Sequence, residues 1–243
     1  MKVTGIIPMR MGSRRLKDKN LLSLGGVAMW RTVYQSMAMA KSVERIIWTV
    51  CPWDGLKEWG MEMRVLAEVA ERDWGVDTQV LHQPKELCAD NKTAHDFLKF
   101  VDNAAQDEVY VFTHICNPFT KPETIDKAVR RFREHGAYDS VIGVVPLQQK
   151  LWKANLDAAQ MEPMNHDPLN MLPTQDLQKI YQESCSLYVF AGKQLRDTGS
   201  HHGKAPIPFV LDPIEGWDID YPWEYEVAEA IWEKRNHPHS HTQ

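Results

Sequence analysis

The apolar pair Ile6-Ile7 gives way within a few residues to Pro8, Gly12 and Ser13 and to the cations Arg10, Arg14, Arg15 and Lys19. Backbone N–H groups freed around a glycine and a serine, ringed by guanidinium and ammonium groups, can neutralise a polyphosphate. A solvated basic loop is the other reading of the same stretch. Far along the chain, Asp218 and Asp220 flank Ile219. In an extended segment that spacing points both carboxylates the same way. Such a pair suits Mg²⁺, a hard cation held by one or two carboxylates together with phosphate oxygens. Exposed acids before a helix, with Asp220 as N-cap, are the alternative. The loop and the pair complement each other, cations for phosphates and carboxylates for a metal. That combination points to nucleotidyl transfer, in which a hydroxyl attacks an α-phosphate while cations stabilise the departing pyrophosphate. The sequence carries neither GxxxxGK[ST] nor GxGxxG, which argues against ATP hydrolysis and hydride transfer.

The elements that would position these groups follow from periodicity. Val3 to Ile7 reads as a buried parallel strand entering the basic loop. A helix over 28–40 has Met29, Val33, Met37 and Ala40 on one face. Strands follow at 44–50, 78–81, 109–112 and 140–145, the last ended by Pro146, with helices at 54–74, from Ala94 through Val101, and at 122–135. Strand 109–112 is apolar on both faces and is expected at the centre. Alternation of this kind predicts an α/β fold with a doubly wound, mostly parallel sheet. Ligands on such sheets bind at the carboxyl ends of the strands. The loops 8–20, 82–92 and 114–120 should therefore share one rim. Further strands at 184–190 and 208–211 and a helix at 222–234 complete a single domain over 1–243, with a tail at 236–243 expected to be disordered. His237, His239 and His241 in that tail could catch a metal, or simply fray. Between 147 and 180 the rhythm breaks into Pro163, Pro168 and Pro173 with Leu151, Trp152 and Met161 as apolar anchors. A segment this long reads as an arm, functional or at an interface, or else as a floppy loop.

Composition narrows the classes. With 43% hydrophobic and 25% charged residues the chain is neither fibrous nor disordered. A net charge of −5 with no basic stripe argues against a nucleic-acid partner. No stretch of about 18 apolar residues could span a membrane, and the start lacks the pattern of a signal peptide, so a cytoplasmic location is expected. Cys51, Cys88, Cys116 and Cys185 lie far apart without a CxxC pair, which suggests reduced thiols.

The loop 6–16 with Lys19-Asn20-Leu21 resembles the signature of the acylneuraminate cytidylyltransferases, the CMP-sialic acid and CMP-Kdo synthetase group. The likeness continues in order through Asp139-Ser140-Val141, Thr174-Gln175-Asp176-Leu177, Tyr181 with Glu183, Leu187-Tyr188-Val189-Phe190 and Asp218-Ile219-Asp220. It implies a Rossmann-like nucleotidyltransferase fold with a protruding dimerisation arm at 147–180, CTP as nucleotide, Mg²⁺ as cofactor and a homodimer. Pro8, Met9, Arg10, Gly12, Ser13, Arg14, Lys19, Asn20, Gln83 and Thr93 would then bind the nucleotide. Arg10, Lys19, Asp218 and Asp220 would be catalytic, with the two aspartates on the metal, and His114, Asn117, Gln175 and Tyr181 would meet the acceptor.

Three departures from the family pattern concern specificity. The loop after the fourth strand reads His114-Ile115-Cys116-Asn117-Pro118-Phe119-Thr120, where sialic-acid enzymes usually have Gln-Pro-Thr-Ser-Pro-Leu-Arg. Gln83 stands where an arginine commonly meets the cytosine, and an amide can still bond the base edge without charge. Pro173 and Thr174 replace an arginine for the acceptor carboxylate; Lys150 and Lys153 on the arm could substitute for it or be surface lysines. His114 is either an acceptor ligand or a histidine at the edge of the core. The implied acceptor is an acid, either a nonulosonic or Kdo-like keto-acid sugar or a smaller acid such as a phosphonate. A nucleotide-binding regulator without catalysis and a structural dimer are the readings from other classes.

Overall fold

The structure, a computed structural model, describes residues 1–10, 13–51, 74–89, 91–135, 138–155 and 157–236, with 64, 68, 71 and 72 singly. Gly12, most of the helix expected over 54–74, and residues 237–243 of the tail lie outside the described residues.

Eleven strands are described: β1 (Val3–Met9), β2 (Ser23–Leu24), β3 (Val27–Ala28), β4 (Arg45–Val50), β5 (Asp77–His82), β6 (Val109–Phe112), β7 (Ser140–Leu147), β8 (Trp152–Asn155), β9 (Gln160–Pro163), β10 (Ile180–Ala191) and β11 (Pro206–Val210). The described helices are α1 (Met29–Met39), α2 (Ala94–Ala105), α3 (Pro122–Glu134), α4 (Gly192–Thr198) and α5 (Pro222–Asn236). Seven strands form one sheet in the order β11-β7-β10-β6-β1-β4-β5, so β6 is central, as its two apolar faces require. Every pairing is parallel except those of β10 with β6 and β7.

Alternation along β1 divides the core. Ile7 and Met9 pack with α1, α3 and α5 on one face, while Ile6 joins Phe97, Leu98 and Val101 of α2 and Leu195 of α4 on the other. Successive side chains of a strand point to opposite faces, so an unbroken apolar run is what a sheet covered on both sides selects. The described sequence ends of the helices follow their chemistry. Thr93 and Asp96 form a capping box at α2, and Pro122 opens α3 with Glu123 in its first turn.

Three features refine or correct the expectation. Strand β7 continues through Pro146 to Leu147. Its partner β11 pairs only as far as Val144, so beyond that point one flank of β7 is open and proline is tolerated. The arm is ordered, with β8 and β9 forming a hairpin and Asn165 bridging Leu151 N (2.9 Å) and Gln149 O (2.7 Å). It presents Trp152, Met161, Met164, Leu169, Met171 and Leu172 to solvent, Leu169 at 96% exposure.

The third difference corrects the reading of four reduced thiols. Cys51 and Cys88 are joined as a disulfide with Cα atoms 6.0 Å apart, and Cys116 and Cys185 are free. Cys51 follows β4 and Cys88 follows β5, adjacent parallel strands, so their distance in sequence disappears at the rim. No described helix is long and apolar enough to cross a membrane. A thiol count on the unfolded, unreduced protein should find two reactive cysteines per chain; four would return all of them to the reduced state.

Candidate active site

The carboxyl ends of β1, β5 and β6 open into one cavity of about 470 Å³. It is lined by Pro8, Arg10, Ser13, Arg14, Lys19, Asn20, Gln83, Thr93, His114 and Asp220, ten of the residues expected from sequence. The three loops do share a rim. Arg15, one of the four loop cations expected to meet a polyphosphate, lines it too, as do Lys92 and Phe97, which lie outside the expected set. Lys92 was visible in sequence only as a charge at the end of a rim loop.

At one end Lys19 Nζ and Arg15 Nη2 each stand 2.7 Å from a different oxygen of Asp220. Arg15 also lies over the Tyr221 ring, 5.2 Å from its centroid. The backbone N–H groups of Asp220 and Tyr221 donate to Glu224 Oε2 at 2.7 and 2.8 Å. Glu224 therefore does the reaching back at the start of α5, and the Asp220 carboxylate is left to face the loop cations instead of capping the helix. Asn20 Nδ2 donates to Arg10 O (2.7 Å), which folds the basic loop onto itself.

Asp218 sits behind this pair and does not line the cavity. Burial raises its pKa above the ordinary carboxylate value, partly offset by a hydrogen bond from the Cys116 thiol. Its Oδ1 is buried with no hydrogen-bond partner among the described residues. Burial likewise pushes the Cys116 thiol well up, so it is a neutral donor and not a nucleophile. The segment is fixed to the loop after β6. Ile219 N donates to Cys116 O at 3.0 Å, Asn117 Nδ2 to Trp217 O at 3.0 Å, and Thr120 Oγ1 to Glu215 O at 3.3 Å.

At the other end Gln83 is buried, its Nε2 donating to Thr49 Oγ1 at 3.0 Å. The Thr93 hydroxyl is engaged in the α2 cap, donating to Asp96 Oδ2 at 3.0 Å. His114 reaches both of its proposed settings, lining the cavity while its ring lies 4.7 Å from that of Phe112. Burial, reinforced by Lys19, pulls its pKa to about 4, so at neutral pH it is an uncharged imidazole.

Four further expected residues are not on the cavity wall. Met9 is buried in the core, and Asn117 is buried with its amide on Trp217. Gln175 and Tyr181 are exposed at the arm and its return strand.

The sequence model of a family described as cytidylyltransferase matches residues 4–50 and 66–215. The chain belongs to the cytidylyltransferase family. This family member is 24% identical over 241 residues to a CMP-N,N'-diacetyllegionaminic acid synthase of Legionella pneumophila, covering 96% of the chain and 97% of the relative. It is 21% identical over 243 residues to an N-acylneuraminate cytidylyltransferase of Escherichia coli O18:K1:H7, covering 97% of the chain and 53% of that longer protein. The fold matches a CMP:2-keto-3-deoxy-manno-octonic acid synthetase solved with CTP, with a TM-score of 0.62 at 15% identity over 97% of this chain and 100% of the other. It also matches a 4-diphosphocytidyl-2C-methyl-D-erythritol synthase from Anaerococcus prevotii, with a TM-score of 0.65 at 12% identity over 96% of each chain.

Removing the Glu224 carboxylate as Glu224→Ala should cost about 0.5–2 kcal/mol, the range for a lost helix-start interaction. Urea denaturation checks this, and an unchanged midpoint would show that Glu224 does not secure the Asp220 segment.

Proposed function

We propose that this protein transfers CMP from CTP to an acidic acceptor of the nonulosonic or Kdo-like keto-acid class, releasing pyrophosphate. The observation that carries the reading is the cavity's polarity: Arg15 and Lys19 meet Asp220, Arg10 and Arg14 line the same cavity, and the neutral Gln83 is among its lining residues. The cations would take the triphosphate. The Gln83 amide, anchored by Thr49, offers its oxygen as acceptor for the exocyclic amine of cytosine. The names of the two curated relatives, both acting on acidic sugars, support the acceptor class.

In the proposed step the acceptor hydroxyl gives its proton to solvent water and its oxygen bonds to the α-phosphorus. The bond from that phosphorus to the bridging oxygen breaks, and pyrophosphate leaves with the electron pair. Lys19 and the arginines neutralise charge on the departing group, which is worth most in a site already shielded from water. Neutral His114 can hydrogen-bond the acceptor without repelling the cations.

The site fits a Mg²⁺ ion. Asp218 Oδ1 is a buried carboxylate oxygen without a hydrogen-bond partner among the described residues, whereas both Asp220 oxygens are occupied by Lys19 and Arg15. Asp218 would hold the ion with one oxygen of Asp220 exchanged from its cation, and bound Mg²⁺ would add positive charge at the phosphates. A homodimer through the 147–180 arm would cover its exposed apolar side chains and give Gln175 and Tyr181 a neighbour. We place the enzyme in the cytoplasm, where CTP is made.

Pyrophosphate release from CTP and a panel of keto-acid sugars and small phosphonates, with ATP, GTP and UTP as controls, tests the proposal. One acidic sugar should turn over with CTP alone. Asp218→Asn should lower kcat by on the order of 10²–10³, the usual effect of removing one preorganised charge. Unchanged turnover in that variant would end the metal assignment, and CTP binding without release from any acceptor would favour a non-catalytic binder.

A further inference from the structure

Outside the cavity, three imidazoles converge that the proposed reaction does not use. His95 stands in the first turn of α2, and His201 and His202 in the loop between α4 and β11. Each offers a nitrogen, and the three nitrogens lie within 4.8 Å of one another. The His201 and His202 rings are 4.0 Å apart, and His95 lies 5.2 Å from His201. His201 is 4% exposed, yet its Nδ1 has no hydrogen-bond partner among the described residues. A buried ring nitrogen without a partner is a defect unless something absent from the protein's own atoms satisfies it.

The loop holding two of these histidines is firmly built. Ser140 Oγ donates to His202 O at 2.6 Å, and Asp139 Oδ2 accepts from Lys204 N and Ala205 N at 2.5 and 2.9 Å. Gly203 has φ +71°, where only glycine is comfortable, and it lies against Asp139. His202 Nε2 is 2.9 Å from Glu183 Oε1, which also accepts from Tyr188 Oη at 2.7 Å. That carboxylate fixes the ring and leaves Nδ1 of His202 for a ligand, the arrangement that second-layer acids give metal-bound histidines.

We propose that His95, His201 and His202 bind a borderline transition-metal ion of the Zn²⁺ type, with Glu183 as the positioning acid. Three imidazoles are a zinc-type ligand set, unlike the oxygen ligands that suit Mg²⁺. Tetrahedral ligands about 2.0–2.1 Å from zinc stand roughly 3.3 Å apart. Small rotations of the partly buried His95 and His202 rings close the remaining distance, and the buried His201 serves as the fixed point. A fourth position is left for water. The ion would tie α2 to the 199–205 loop and to β10 behind Phe112, whose ring lies 5.9 Å from His201 and 4.7 Å from His114.

The test is Co²⁺ titration of the full chain carrying His237→Asn, His239→Asn and His241→Asn, which removes the tail as a competing ligand. Excess Mg²⁺ keeps Co²⁺ off oxygen sites. One Co²⁺ per chain with tetrahedral visible bands, no thiolate charge-transfer band and displacement by Zn²⁺ is expected. His202→Asn on that background should weaken binding at least about tenfold, and Glu183→Gln by about 10–100-fold. The His202 side chain is 31% exposed, so its replacement should leave the far-ultraviolet circular dichroism unchanged; should it not, the His95→Asn variant gives the same reading. No binding to the tail variant, or equal binding after the histidine replacements, would overturn the site.

Discussion

The contact between Asp220 and the two cations of the first loop, Lys19 and Arg15, is the constraint on which the cavity depends. It joins groups 201 residues apart in sequence and closes the rim between the end of β1 and the start of α5. Lys19 is 13% exposed and Asp220 23%, so the pair is part-buried and surrenders much of its hydration. Desolvation then cancels a large share of the Coulomb attraction, and what remains is chiefly geometry. The loop is held ready, with its cations gathered before any phosphate arrives.

The sheet makes that geometry possible. The central position of β6 beside β1 brings the loop after β6 under the first loop, and Cys116, Asn117, Thr120 and Lys121 then grip the 215–219 segment. Lys121 Nζ lies 3.0 Å from the buried Glu215 carboxylate. These bonds deliver Asp218 and Asp220 to the carboxyl ends of strands to which they do not belong. Asn117 thus contributes by bracing the aspartates from beneath the cavity floor.

The fold was legible because local periodicity and burial agree. The apolar runs of β1 and β6 require cover on both faces, and the spacing of Met29, Val33 and Met37 requires one face of α1 to be buried. The shared rim followed from strand direction alone, and ten expected residues meet there. What was not legible depends on which strands are neighbours. Cys51 and Cys88 come together because β5 lies beside β4, and His95 meets His201 because α2 and α4 cover the same face of the sheet. Glu224 could have been read as a helix-start acid at the third position of α5. Its consequence, freeing the Asp220 carboxylate, needed the fold.

Metal-free CTP affinity of the parent and of Asp220→Asn, by calorimetry in EDTA, tests the central claim most directly. If the Asp220 contact holds Lys19 and Arg15 in place for the phosphates, removing it should weaken metal-free CTP binding several-fold. Unchanged or tighter binding would contradict the account, because the cavity would then not depend on that contact.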